Sequence, residues 1–261
     1  MRILAVADLH YNLPQFDWLV STAGRYDLLI IAGDLLDGNS FVTTSAQMVV
    51  VLKYLERLRA IVPLVVCSGN HDLNHAYSTG ERYARWVPYA RGQGAHADNE
   101  TFAIGEVTIT VCPWWDGEIA RHAIARQLAE AAATRGRNWF WVYHAPPAEA
   151  PGSWSGSRHY GDLELANWIT QYQPQLVFSG HVHEAPFARG GSWAARLGDT
   201  WIFNPGRQVG EVPTHIVVDT ELKQAAWFSF EGAGTLDWGN GGRPEEMFAW
   251  PAWLPRAPMP A

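Results

Sequence analysis

The sequence predicts an α/β fold: a parallel sheet built from strand–helix units, followed by antiparallel strands. Three observations carry this prediction. Short apolar runs at residues 3–7, 28–32 and 64–67 alternate with segments of helical period. Each run stops in a loop rich in Gly, Asp, Asn and His. Beyond residue 190 the β-rich runs follow one another with no helix between them. A continuous apolar run reads as a strand buried on both faces, and strands separated by helices form right-handed crossovers in a parallel sheet.

In chain order, residues 3–7 form the first strand, ending in Asp8-Leu9-His10. Residues 14–23 keep helical spacing up to Gly24, and 28–32 form a second strand that ends in Gly33-Asp34. In residues 41–60, Val42, Met48, Leu52, Leu55 and Leu58 keep roughly helical spacing opposite charged residues, which predicts a helix with one buried face. The third strand, 64–67, ends in Ser68-Gly69-Asn70-His71-Asp72. The polar and aromatic stretch 74–98 is expected to hold one helix near 81–86. Residues 101–104 and 107–111 predict a hairpin turning at Gly105-Glu106. An alanine-rich helix over 118–135 stops at Gly136, the strand 138–143 leads into His144, and a helix near 162–172 precedes the strand 176–179 and Gly180-His181-Val182-His183. Runs at 193–196, 201–204, 215–219 and 226–230 predict a second, antiparallel sheet. Residues 1–231 are expected to form one domain. Residues 232–261 form a Gly/Pro-rich tail whose Trp238, Trp250 and Trp253 carry too much apolar surface to stay wet.

Composition narrows the function. The 261 residues carry a net charge of −7 and only two lysines, Lys53 and Lys223, which argues against an extended nucleic-acid substrate. An anionic small substrate remains compatible, because a bound cation supplies positive charge locally. Cys67 and Cys112 follow valine-rich runs and read as small buried residues of a reducing compartment. The N-terminus lacks the apolar core of a leader, and no stretch reaches the about 18 apolar residues of a membrane span. A cytoplasmic protein that does not enter membranes is expected; nothing in the sequence specifies an oligomeric state.

The chemistry gathers at the strand ends: Asp8 and His10, Asp34, Asn70 and His71, His144, and His181 and His183. In an extended chain, residues two apart point the same way, so Asp8-x-His10 and His181-x-His183 can each aim two ligands at one place. Asp34 has two oxygens and can join two cations, and Asn70 offers a neutral carbonyl. Imidazole and carboxylate without thiolate suit Mn, Fe or Zn. Taken singly, an Asp at a strand end is usually a turn former and a lone His a hydrogen-bonded residue. Chance placement of all five sets would need five coincidences. His96, His122, His159 and His215 read as ordinary residues, as does His75. Asp37 reads as loop structure, and Trp114, Trp115 and Trp154 as core.

The ordered set Asp8-Leu9-His10, Gly33-Asp34, Gly69-Asn70-His71-Asp72, His144 and Gly180-His181-Val182-His183 resembles the calcineurin-like metallophosphoesterase superfamily. Its pattern is D-x-H, G-D, G-N-H-[DE], H and G-H-x-H. Asn204-Pro205-Gly206 also resembles a turn of compact bacterial members. The resemblance implies a four-layer αββα sandwich with a dinuclear metal centre. Asp8, His10 and His183 would hold one metal, Asn70, His144 and His181 the other, and Asp34 would bridge. His71 would stand near the leaving group with Asp72 fixing its orientation. The implied reaction is hydrolysis of a small phosphate ester by in-line attack of a metal-bridging hydroxide. Phosphodiesters and small-molecule or nucleotide monoesters both fit as substrates. The alternative is a non-catalytic interaction scaffold of the same fold.

Overall fold

The alternation of the apolar runs decides the layering. In the computed structural model, which describes residues 1–255, the chain runs β1 (Arg2–Val6), α1 (Leu13–Thr22), β2 (Leu28–Ala32), α2 (Thr44–Arg59) and β3 (Leu64–Cys67). There follow two short strands, β4 (His75–Ala76) and β5 (Arg82–Tyr83), then α3 (Val87–Gly92), β6 (Glu100–Ile104) and β7 (Val107–Val111). Next come α4 (Glu118–Thr134), β8 (Asn138–Val142), α5 (Leu163–Tyr172) and β9 (Leu176–Phe178). The chain closes with β10 (Ala194–Leu197), β11 (Thr200–Phe203), β12 (His215–Asp219), β13 (Gln224–Phe228), β14 (Ala233–Asp237) and β15 (Glu245–Glu246).

Two sheets face each other. One has the order β15-β14-β13-β12-β1-β2-β3, the other β10-β11-β9-β8-β7-β6. Ile3, Ala5, Leu28 and Ile30 point between the sheets, against Ile109, Val111, Phe140 and Phe178. Their neighbours Leu4, Val6, Leu29 and Ile31 point outward and pack on Phe16 and Leu19 of α1 and on Val51, Leu55 and Leu58 of α2. Trp139, Trp141 and Val177 do the same on the far side, against Ile124 and Leu128 of α4 and Ile169 of α5. Helices, sheet, sheet and helices make the four-layer αββα sandwich. Both central strand sets are parallel, β1-β2-β3 and β7-β8-β9. Their C-terminal ends, where α/β sheets bind ligands, carry the Asp and His loops.

Three expectations are corrected. The last strands do not form a sheet of their own: β10 and β11 extend the second sheet beyond β9, while β12 and β13 extend the first beyond β1. Local apolar pattern marks a strand as buried but is silent on which sheet edge it joins. The helix expected over 81–86 is the edge strand β5, paired with β4 and held by stacking of Tyr77 on Tyr83 at 4.4 Å. The helix starts at Val87, where Pro88 suits the first turn. Helix α2 starts at Thr44, three residues after Phe41, because the Thr43 side chain caps it by accepting a bond from the Ala46 amide. Part of the segment beyond residue 231 packs on the body. There β14 pairs with β13, Trp238 is buried between the sheets, and Trp253 packs on the α1–α2 core. The last part of the tail, residues 256–261, lies outside the described residues.

Candidate metal centre

The loops after β1 and β2 lie along each other. The amides of Asp8, His10 and Tyr11 donate to the carbonyls of Gly33, Asp34 and Leu35 at 3.1, 2.9 and 2.9 Å. The extended geometry expected for Asp8-x-His10 and His181-x-His183 is not what aims them. Asp8, His10 and Asp34 have φ of 56°, 42° and 52°, and His181 has 69°, all left-handed. Such a conformation costs roughly 1–3 kcal/mol at a non-glycine residue and persists only where surrounding contacts enforce it. Gly33 and Gly69 are required by crowding. A Cβ at Gly33, itself at φ 89°, would fall 2.4 Å from His144 Nδ1, and one at Gly69 would fall 2.2 Å from Asp34 Oδ1.

The side chains converge. Asp8 Oδ1 lies 3.3 Å from His183 Nε2, 3.7 Å from His10 Nε2 and 3.8 Å from His144 Nε2. The facing nitrogens of His10 and His183 are 3.1 Å apart. Asp34 Oδ2 is 3.2 Å from His144 Nε2 and 3.5 Å from His10 Nε2, while its Oδ1 accepts the His71 amide at 2.8 Å. His181 Nδ1 meets Asn70 Oδ1 at 2.9 Å, and its ring stands 5.3 Å from that of His144. Ligand atoms of three groups, Asp8/His10/His183, Asp8/Asp34/His144 and His10/Asp34/His71, each lie within 4.8 Å of one another.

The donors fit cations. His144 Nδ1 lies 2.7 Å from the Ala32 carbonyl, a bond that places its proton there and leaves Nε2 as the free donor. That Nε2 is fully buried and faces an Asp34 oxygen at 3.2 Å. Burial alone would depress the basicity of His144, but the Asp34 and Asp8 carboxylates overcome it and raise its pKa to about 9. Burial would likewise raise Asp8, yet its bonds to His10 and His183 and the charge of His144 hold it well below the usual carboxylate range. Positive charge is thus stabilised between these two buried carboxylates. His181 is driven down to about 4 by burial and by His144, which keeps it a neutral imidazole.

Asp72 is not where the sequence reading put it. Its carboxylate is wholly buried and accepts the amides of Leu35 at 3.0 Å, Leu36 at 2.9 Å and Gly69 at 2.9 Å. It therefore ties the Asp34 loop to the Asn70 loop instead of holding His71. His71 Nδ1 accepts the Gly38 amide at 3.3 Å, and the carboxylate beside it, at 3.8 Å, belongs to Asp37. Burial, opposed by the charge of Asp34, lowers the His71 pKa.

Two further residues, outside every motif of the sequence, reach the centre. The Trp114 ring lies 5.1 Å from His181 and 5.6 Å from His144, so it lines the site as well as the core. Arg207 donates through Nε to the Asp8 carbonyl at 3.2 Å and lines a groove with His183. Trp154 stays outside, bonded to the Arg189 carbonyl. Cys67 and Cys112 are buried free thiols. No helix among the described residues is long and apolar enough to cross a membrane.

Residues 1–185 match the calcineurin-like phosphoesterase family. The fold is similar to that of TT1561 of Thermus thermophilus, at 16% identity and a TM-score of 0.56, covering 94% of this chain and 98% of that one. It is also similar to the purple acid phosphatase PPD1 from yellow lupin (Lupinus luteus) seeds, at 13% identity and a TM-score of 0.55, covering 94% of this chain and 52% of that one. No curated protein matches the sequence. With a family match across most of its length, the chain belongs to the calcineurin-like phosphoesterases and is a metal-dependent hydrolase of phosphate esters.

Proposed function

We propose that the centre holds two metal ions and hydrolyses a small phosphate ester, either a diester or a small-molecule or nucleotide monoester. The observation that carries this is Asp34. One of its oxygens lies 3.5 Å from His10 Nε2 and 3.2 Å from His144 Nε2, so a single carboxylate reaches both expected ligand sets. Asp8, His10 and His183 would hold one ion, Asn70, His144 and His181 the other, and Asp34 would join them. Mn, Fe or Zn suits this imidazole–carboxylate set. Two such ions would supply charge to bind phosphate oxygens and to lower the pKa of water toward neutrality.

The chain's own groups then orient and stabilise. Gly38 donates to His71 Nδ1, so the neutral ring carries its proton on Nε2. Nearby cations would press its basicity further down. His71 acts as a neutral N–H donor to a phosphate or leaving-group oxygen. Asp72 keeps both loops in register. Arg207 supports the Asp8 turn and adds positive charge at the His183 edge. The scaffold alternative has no support in the residues, because no position of the ligand pattern is substituted.

Metal analysis and kinetics on Asp34→Asn test this reading. Wild type is expected to bind two equivalents per chain, and the variant to lose at least one and nearly all hydrolysis of an aryl phosphate. A fully metallated, active variant would refute the bridging role.

A further inference from the structure

A cavity of about 550 Å³ opens beside the His181 edge of the metal centre. Its wall is formed by Trp114, Trp115, Tyr143, Tyr160, Leu163 and His181, so four aromatic side chains adjoin one of the expected metal ligands. This volume suits a ring-sized organic group rather than a few waters.

The aromatic walls are set in place before any ligand arrives. Asp162 Oδ2 accepts Trp115 Nε1 at 2.8 Å and also the Tyr143 hydroxyl, while its Oδ1 accepts the Leu165 amide as the cap of α5. One carboxylate thus ties two aromatic rings to the start of a helix. Trp114 is fixed from the other side, where its amide donates to Ser68 Oγ at 3.0 Å. Tyr160 and Leu163 stand at the mouth, 43% and 67% exposed, although both are large and apolar. Exposed apolar groups rimming a prebuilt aromatic cavity are what a ligand would cover.

The wall is acidic, with arginines at its edge. Its acidic members are Asp162 and Glu164, and no Lys or Arg lines it. Asp162 is occupied by the bonds just described, and Glu164 lies 3.6 Å from Arg121. At the mouth the Arg158 guanidinium lies over the Tyr160 ring, 4.2 Å from its centroid, so both signs of charge border the cavity.

Resting on the dinuclear reading of the centre, we propose that this cavity receives the organic ester group of the substrate, and that this group is planar and aromatic or heteroaromatic. The phosphate would sit at the metal ligands, with the ring passing Trp114 and His181 into the cavity. Selectivity then arises from stacking on fixed aromatic faces, which favours flat rings over short alkyl groups.

Calorimetric binding of two phosphonates to the Mn-loaded protein tests this without turnover. Phenylphosphonate is expected to bind at least about tenfold tighter than methylphosphonate, from the apolar area its ring buries. Trp115→Ala should narrow the phenyl-to-methyl preference to about threefold or less. Because Trp115 also bonds Asp162, the mouth variants Tyr160→Ala and Leu163→Ser provide the same reading at exposed positions. Equal affinities for the phenyl and methyl compounds, or a preference unchanged in all three variants, would overturn the assignment of the cavity. If neither phosphonate binds the metal-loaded protein, the metal-centre reading itself fails and this one with it.

Discussion

Replacing Asp72 by alanine removes a carboxylate that no solvent reaches and that three backbone amides address. The amides belong to two loops, Leu35 and Leu36 beside Asp34, and Gly69 beside Asn70. A buried donor left without its acceptor costs roughly 1–3 kcal/mol. Three of them set a range whose low end, about 3 kcal/mol, is the expected loss, because removing a buried charge returns part of the cost. Asp72→Asn keeps one oxygen for Leu35 and Leu36 but turns an NH2 toward the Gly69 amide, for a loss of about 1–2 kcal/mol. Guanidinium unfolding of the metal-free protein at pH 8 measures both. At that pH the carboxyl, which burial and the Asp34 charge raise to about 7, is ionised and accepts at both oxygens. Metal content of the folded variants should fall as well, since Asp34 and Asn70 lose their common anchor. If Asp72 instead oriented His71, Asp72→Asn would keep wild-type stability and metals and copy the kinetics of a His71 variant. That outcome, or a loss below about 1 kcal/mol for Asp72→Ala, would refute the reasoning.

His71→Ala is expected to keep both metals and to lower kcat/KM on the order of 10²-fold, the scale of one preorganised hydrogen-bond donor. A neutral donor to phosphate predicts similar losses for aryl esters with good and poor leaving groups, whereas losses concentrated on poor leaving groups would show proton transfer to the leaving oxygen. His215 makes a separate prediction about acid stability. Its ring lies between Trp18 and Phe228, at 4.8 and 5.0 Å, and burial lowers its pKa to about 4, with the bond to the Pro213 carbonyl opposing. The unfolded chain, with a histidine pKa near 6.5, therefore binds more protons than the native one between pH 6.5 and 4, and this contribution to stability is lost as pH falls through that window. Because the residue is only partly shielded from solvent, the loss relative to His215→Gln is set at about 2 kcal/mol. Unfolding curves of the pair at pH 7 and pH 4.5 check it; a stability difference that does not change with pH would contradict the burial of an uncharged ring.

Where the chemistry lies is legible in the chain alone. Strands buried on both faces have to be continuous apolar runs, so β1, β2, β3, β8 and β9 are visible locally, and the polar residue that ends each run is the one exposed at the sheet's C-terminal edge. Type and order of those residues suffice to identify the family and to mark the candidate metal ligands. Packing settles everything that depends on which segments meet. Pairing partners of β10 to β13 are set by open sheet edges far away in the chain, which no local period encodes. Asp8 and His181 point inward through left-handed turns, which the neighbouring loops enforce and an extended-chain argument could not foresee. Asp72 follows His71 in sequence, yet its carboxylate turns to the amides of a loop more than thirty residues earlier. Trp114 and Trp115 look like core residues in a chain with 14 tryptophans. Only the packing of β8 and α5 beside the candidate metal ligands makes them the wall of a cavity.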